Sequence, residues 1–303
     1  MANPSDTTYA IVANTATGTP VAPVFNIIEN LNGNDITFDY KTLTSEALKA
    51  NRDVADMAYT SGSGTGPIAL EVSRSVNFET LMLSAISAKP FTANATTAGT
   101  TDSAFTYEKT IRHKNTEMHY RYFEQQATKM TLSVATDAYV KATFDTQALD
   151  WEYSTSKMTG AEYVIPASGP RLKGEDMGAI NIGGLDVDYT SLELVVDQAR
   201  EVQFALGKRN GIGQSTSANR MVTLTVKAYR EDLNPELLFG DAKTETAVSL
   251  NLGKAGTGYG YEFPRMLVSV PKHEVSGASE LVNLTLTGLY SDVAGFAMRV
   301  TKL

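Results

Sequence analysis

Apolar and polar residues alternate in short runs along most of this chain. The clearest runs are Met130-Thr-Leu-Ser-Val134, Val140-Lys-Ala-Thr-Phe144, Val222-Thr-Leu-Thr-Val-Lys-Ala228 and Leu281-Val-Asn-Leu-Thr-Leu286. A period of two sends successive side chains to opposite sides of the backbone. Each run therefore predicts a strand with one face on a core and the other on water or a neighbour. Further strands are predicted at 36–40, 68–73, 105–112, 186–195, 247–252, 259–263 and 296–301. Two segments read as short helices instead. One runs from Asn77 through Phe78, Leu81, Met82 and Ala85, and the other from Asn234 and Pro235 through Leu237, Leu238 and Phe239. Each opens on Asn, a good N-cap, and carries an acidic residue (Glu79, Glu236) where the helix dipole favours it.

The elements recur in order, which points to an internal duplication. Asp39-Tyr40 and Leu48–Val54 are answered by Asp188-Tyr189 and Val196–Val202. A Gly/Ser-rich loop follows in both places (Ser61–Gly66; Gly207–Ser215), then an alternating strand, then the helix. Tyr122-Phe123 and Met130–Val134 match Tyr261–Phe263 and Met266–Val270, and Val140–Phe144 matches Val282–Leu286. The expected organisation is an N-terminal arm over 1–36, a β domain over 37–165, a linker over 166–179 and a second β domain over 180–303. Thr92–Thr101 has the composition of a flexible surface loop.

Composition narrows the classes of function. Hydrophobic residues make up 42% of the 303, enough for a core. No run of 18 apolar residues occurs, so no helical membrane span is expected. The N-terminus shows neither a basic start nor an apolar stretch, so no secretion signal is expected. With no cysteine, there are no disulfides, thiolate metal ligands or thiol nucleophiles. The formal charge of −8 disfavours tight binding to nucleic acid, whose phosphates call for a basic excess.

The residues that could carry chemistry give no enzyme signature. Gly253–Gly260 is glycine-rich, but Lys254 precedes the glycines and strands flank them, so a hairpin loop is expected rather than a phosphate cradle. His113, Glu117 and His119 lack a zinc-like spacing with a further ligand. No GxSxG elbow is present, and a single Trp, Trp151, is a poor sugar platform. No catalytic residue, cofactor or metal is expected. The repeated Arg52-Asp53 and Arg200-Glu201 read as structural ion pairs or interface contacts.

The ordered set Thr42–Glu46, Ile68–Val72, Phe78–Ile86, Phe105–Lys109, Ile182–Val187, Thr190–Leu194, Ala205–Gly207 and Phe296–Val300 resembles the tail tube proteins of long-tailed bacteriophages. The likeness spans nearly the whole chain and rests on hydrophobic signatures in order. It implies an all-β fold with short flanking helices: duplicated β-sandwich domains whose sheets join into a ring-shaped β-barrel on oligomerisation. Rings would stack into a tube around a tape-measure protein, later replaced by DNA, and the tube would meet a tail terminator and distal tail or baseplate proteins. It also implies a place in the virion tail after assembly in the host cytoplasm. Two fused copies would close with three chains the ring that single copies close with six; six whole chains would still be needed if only one half lined the lumen. A negative lumen would keep DNA from adhering, and Asp39, Glu46, Asp188 and Glu193 are its candidates, with internal salt bridges as the other reading. Other virion β proteins, such as decoration or baseplate components, share this composition, as does a carbohydrate-binding β-sandwich.

Overall fold

The computed structural model of the chain describes residues 6–15, 18–29, 31, 34–47, 53–185, 187–230, 245–276 and 279–303. The predicted helix after Asn234 and the candidate Arg52 lie outside them.

The first half contains strands β1 (Thr7–Ala13), β2 (Val24–Ile28), β3 (Thr37–Thr44) and β4 (Met57–Glu71), then helix α1 (Val76–Ala85). Strands β5 (Ala95–Thr97), β6 (Phe105–His113), β7 (Thr116–Ala135), β8 (Lys141–Ala148), β9 (Asp150–Ser154) and β10 (Glu162–Val164) follow. The second half contains β11 (Met177–Ile182), β12 (Tyr189–Asp197), β13 (Arg200–Gln203), β14 (Gly213–Thr216) and β15 (Met221–Tyr229). It ends with β16 (Thr246–Leu252), β17 (Tyr259–Val268), β18 (Lys272–Ser276), β19 (Ser279–Gly288) and β20 (Arg299–Lys302). Among the described residues all strands but the ribbon β13–β14 belong to one hydrogen-bonded network, and no barrel closes within the chain.

The long strand β7 organises the network by serving two layers. Its first part pairs with β6 and β9, from His113↔Thr116 to Phe105↔Gln125. Its last part, Lys129–Ala135, lies between β8 and β12. From there a ladder runs outward in both directions. On one side it passes through β8 and β4 to β3. On the other it passes through β12 and β15 to β19. The joint between the halves is thus a backbone ladder, with Leu194 opposite Leu132 and Val196 opposite Met130. One core follows it, and Ile68, Phe144, Leu132, Leu194, Leu224 and Leu286 are all buried in the same cluster. Each such side chain contributes about 2 kcal/mol by leaving water.

Helix α1 covers this joint. Ser75, not Asn77, is its N-cap: the Ser75 Oγ accepts from the Phe78 N–H, while the Asn77 Nδ2 donates to the Ile27 carbonyl 2.8 Å away. Asn77 lies inside the first turn because a polar partner on β2 is within its reach, which sequence alone does not reveal. Phe78 packs against Phe144 of the first half and Tyr259 of the second. Glu79 fills the favourable first-turn site and is bonded by Lys302 at 2.7 Å.

Several expectations need correction. Within the stretch read as an arm, Thr7–Ala13 is a core strand paired with Phe105–Ile111 of β6, with Ile11 buried. Within the expected linker, Leu172 is buried, donating its N–H to the Val72 carbonyl and accepting from the Val140 N–H. The expected flexible loop at 92–101 holds β5, paired with β20. The Gly/Ser run Ser61–Gly66 is strand, not loop, because its glycines make room for neighbours. A Cβ on Gly62 would lie 2.6 Å from Tyr40, and one on Gly66 only 2.1 Å from the Asp35 carbonyl oxygen.

Candidate assembly surface

The ladder from β3 to β19 has one buried face and one open face. Pleating puts Ile68, Leu132, Leu194 and Leu224 on the core side and Thr131, Thr143, Thr223 and Thr225 on the other. The open face carries both signs of charge, with Lys129, Lys141 and Lys227 interspersed among Asp145, Glu193 and Asp197. At its middle, Ser133, Lys141, Glu193, Thr225, Lys227 and Asn283 line a surface depression. Threonine gives this face β propensity and small hydroxyls without a hydrophobic patch.

The predicted lumen residues distribute as follows. Glu193 lies on the open face, opposite Ser133 of β7 and Thr225 of β15. Asp39 lies on the same face of the ladder, opposite Ser63 of β4. Glu46 and Asp188 are exposed in segments flanking β3 and β12, and the Asp188 carbonyl accepts from the Tyr229 N–H. The ladder thus brings Asp39 and Glu193 to one surface but keeps them several strands apart. Asp53 is exposed near the start of β4, and Glu201 is exposed on β13 opposite Ser215. Arg200 is buried, and its ion partner is Asp102 at 3.1 Å; the guanidinium also donates to Ser87 Oγ at 2.6 Å and to Gln126.

Two hairpins lie at one end of the ladder, and the sequence pattern did not mark them as a joint surface. The β3–β4 hairpin and the β13–β14 ribbon meet where the Gly62 N–H donates to the Arg209 carbonyl at 2.8 Å. There the Tyr40 hydroxyl also donates to Asn210 at 3.1 Å. Both display large apolar side chains to solvent: Leu43, Met57 and Tyr59 on one, Leu206 and Ile212 on the other. A legible signal was present, namely bulky apolar residues set within Gly/Ser-rich stretches that have no core to enter.

The second layer is stiffened by a buried polar cluster. Glu108 on β6 is bonded by Arg121 Nε at 2.6 Å and by the Tyr163 hydroxyl at 2.6 Å, with His119 Nδ1 at 3.0 Å. Arg121 also reaches Glu152 at 2.7 Å, so β6, β7, β9 and β10 are tied together. Burial pushes the Glu108 carboxyl up, but the hydrogen bonds from Tyr163, Arg121 and His119 outweigh it and hold it below the usual carboxylate value. Burial, then the bond to Glu108, pushes the Tyr163 phenol well up. With its oxygens engaged by a guanidinium, an imidazole and a phenol in the interior, this cluster is a structural brace. Among the described residues no group of three or more His, Cys, Asp and Glu is placed to hold a metal.

A family model described as phage tail tube protein matches residues 4–288. No curated protein sequence matches the chain. That family is a structural one, not a family of enzymes, and its members self-assemble into the tube of the virion tail. With the match running over nearly the full length of a mostly β chain, the protein belongs to the phage tail tube family.

Proposed function

We propose that this chain forms the wall of a tail tube in which rings stack into a hollow conduit for DNA ejection. The observation that carries the proposal is the one-sided ladder from β3 to β19. It has a buried core face and a polar threonine-rich face, and among the described strands β3 at one end and β18, beyond β19 at the other, each pair on one side only. Ring closure consumes such edges, which in a free sheet are an aggregation hazard. The polar face would line the lumen, where Asp39 and Glu193 would meet passing DNA. Its interspersed lysines make it weakly charged, so DNA slides without the counterion release that tight binding needs. The exposed hairpins are the proposed contacts between stacked rings. A tape-measure protein, a tail terminator and distal tail proteins are the expected partners, with assembly in the host cytoplasm.

The chain is further proposed to be two fused tube domains. In support, β1·β6·β7·β8·β4 are neighbours in that order, and so are β11·β16·β17·β19·β15. Strand β9 flanks the first part of β7 as β20 flanks the first part of β17. The equivalence takes β1 and β11 into the copies, moving their proposed starts to about residues 7 and 177. Three chains then close a wall with pseudo-six-fold symmetry. Electron microscopy of concentrated protein, with end-on averages of the polymer, tests both parts. Hollow tubes with three-fold modulated rings are expected. A strict six-fold ring of whole chains would overturn the trimer, and monomers alone at every concentration would overturn the tube.

A further inference from the structure

On β7 the ladder with β6 ends at Gln125, and Lys129–Ala135 then runs between β8 and β12. On β17 the ladder with β16 ends at Met266, and the chain then runs along β19 through Val268 and β18. Among the described strands, β18 pairs with β19 alone. The position that β12 takes beside β7 therefore has no described strand beside β18. At the other end of the ladder, β3 pairs with β4 alone among the described strands. The residues just before it continue alongside: Asn34 Nδ2 donates to the Ala69 carbonyl at 2.8 Å and Asn34 Oδ1 accepts from the Ala69 N–H at 2.7 Å.

The registers identify the equivalent positions. Phe144 pairs with Ile68 and Met130, as Leu286 pairs with Leu224 and Val268. Met130 therefore corresponds to Val268. In the second half Val196 lies opposite Val222 and Met130. In the first half the β3–β4 register, carried back one step from Thr37↔Thr65, sets Ile36 opposite Gly66, the counterpart of Val222. Ile36 thus holds the place of Val196, and both are buried.

Resting on the ring reading above, we propose that Asn34–Thr37 of one copy pair antiparallel with Leu267–Val270 of the next, with Ile36 opposite Val268. The receiving edge suits this partner. Leu267 and Val270 are 45% and 62% exposed, more apolar surface than a strand edge facing only water would hold. Pro271 and Lys272 sit on the same edge. Proline removes one ladder donor and lysine resists desolvation, so both discourage wrong pairing before the ring forms.

The chain has no cysteine, so cross-linking at chosen pairs is clean. In this register Thr37 lies opposite Leu267, both accessible. Full-length protein carrying Thr37→Cys and Leu267→Cys is assembled at high concentration, imaged, oxidised and run on a denaturing gel. The expected result is disulfide-linked species ending at the closed ring, with none from either single variant or from Thr37→Cys with Glu274→Cys. Rings in the images without linkage at Thr37/Leu267, or at Asp35 or Asp39 with Leu267, would overturn the edge assignment while leaving the ring intact. Absence of rings from every sample, unmodified protein included, would overturn both. As a second variant, Val270→Lys is expected to leave thermal unfolding of the monomer unchanged. It should raise the concentration for half-assembly by about tenfold or more; an unchanged value counts against the edge.

Discussion

Glu79, in the first turn of the single described α-helix, is held by Lys302 of β20, with 2.7 Å between carboxylate oxygen and ammonium nitrogen. The Tyr259 hydroxyl reaches the other carboxylate oxygen at 3.3 Å. This ties a helix of the first half to two strands of the second, over the aromatic pair Phe78 and Tyr259. Both ionic side chains are mostly but not fully covered.

That geometry sets the first prediction. Lys302→Met should lower unfolding stability by about 1 kcal/mol, between the value of an exposed pair and that of a buried one. Urea denaturation in a double-mutant cycle with Glu79→Gln should return a coupling of similar size. Additive single effects would mean that the pair is not formed in solution.

The Glu108 cluster sets a pH dependence. Its carboxyl is held below the usual value of 4.5, so the unfolded chain binds the proton more readily. The stabilisation is therefore fully present above the ordinary carboxylate range and is lost as pH falls through and below it. Glu108→Gln should flatten the acid limb of a stability-versus-pH curve. At neutral pH it should cost about 3 kcal/mol, because Arg121 loses its buried partner.

Two glycines should respond differently to alanine. Gly66→Ala places a methyl 2.1 Å from the Asp35 carbonyl oxygen and 2.8 Å from the Ile36 Cα, both backbone atoms. It should destabilise by about 3 kcal/mol or more, with the segment before β3 pushed off β4. Gly184 has φ of +84° and nothing within 4 Å of its added Cβ. Gly184→Ala should cost only about 1 kcal/mol, from backbone strain alone. Thermal unfolding of both variants gives the comparison.

Arg200→Met removes the cation that binds Ser87, Gln126 and Asp102 around the end of the α1 segment. The expected loss is about 2 kcal/mol, since methionine fills part of the volume while buried acceptors lose a charged donor. Hydrogen exchange should rise first around Ile86 and Gly99, whose carbonyls are bonded by the neighbouring Arg220.

Strands with strict alternation were legible in the sequence because they face a core on one side only. Met221–Tyr229 and Lys141–Ala148 are the clearest cases. Strands whose small residues make room for others were not legible. In Met57–Glu71 the glycines that signal a loop are instead the floor beneath Phe38 and Tyr40. Thr7–Ala13 was missed because a four-residue buried run carries no period. Of the candidate residues, Glu193 had an open-face position that was readable from its place between Leu192 and Leu194, both buried. The role of Arg200 was not, because its partners Ser87, Asp102 and Gln126 are far away in sequence. Edges are harder still, since alternation reports which residues share a face and says nothing of which strand ends a sheet.

The ladder between Leu132 and Leu194 has a further consequence, because both its strands belong to one polypeptide. A joint made within a chain survives any dilution, since its two sides share a fixed effective concentration. Only the joints between chains are left to mass action. On the fused-copy reading proposed above, a wall built from such chains would have fewer partners to gather for each closed layer, so the onset of growth would depend less steeply on protein concentration.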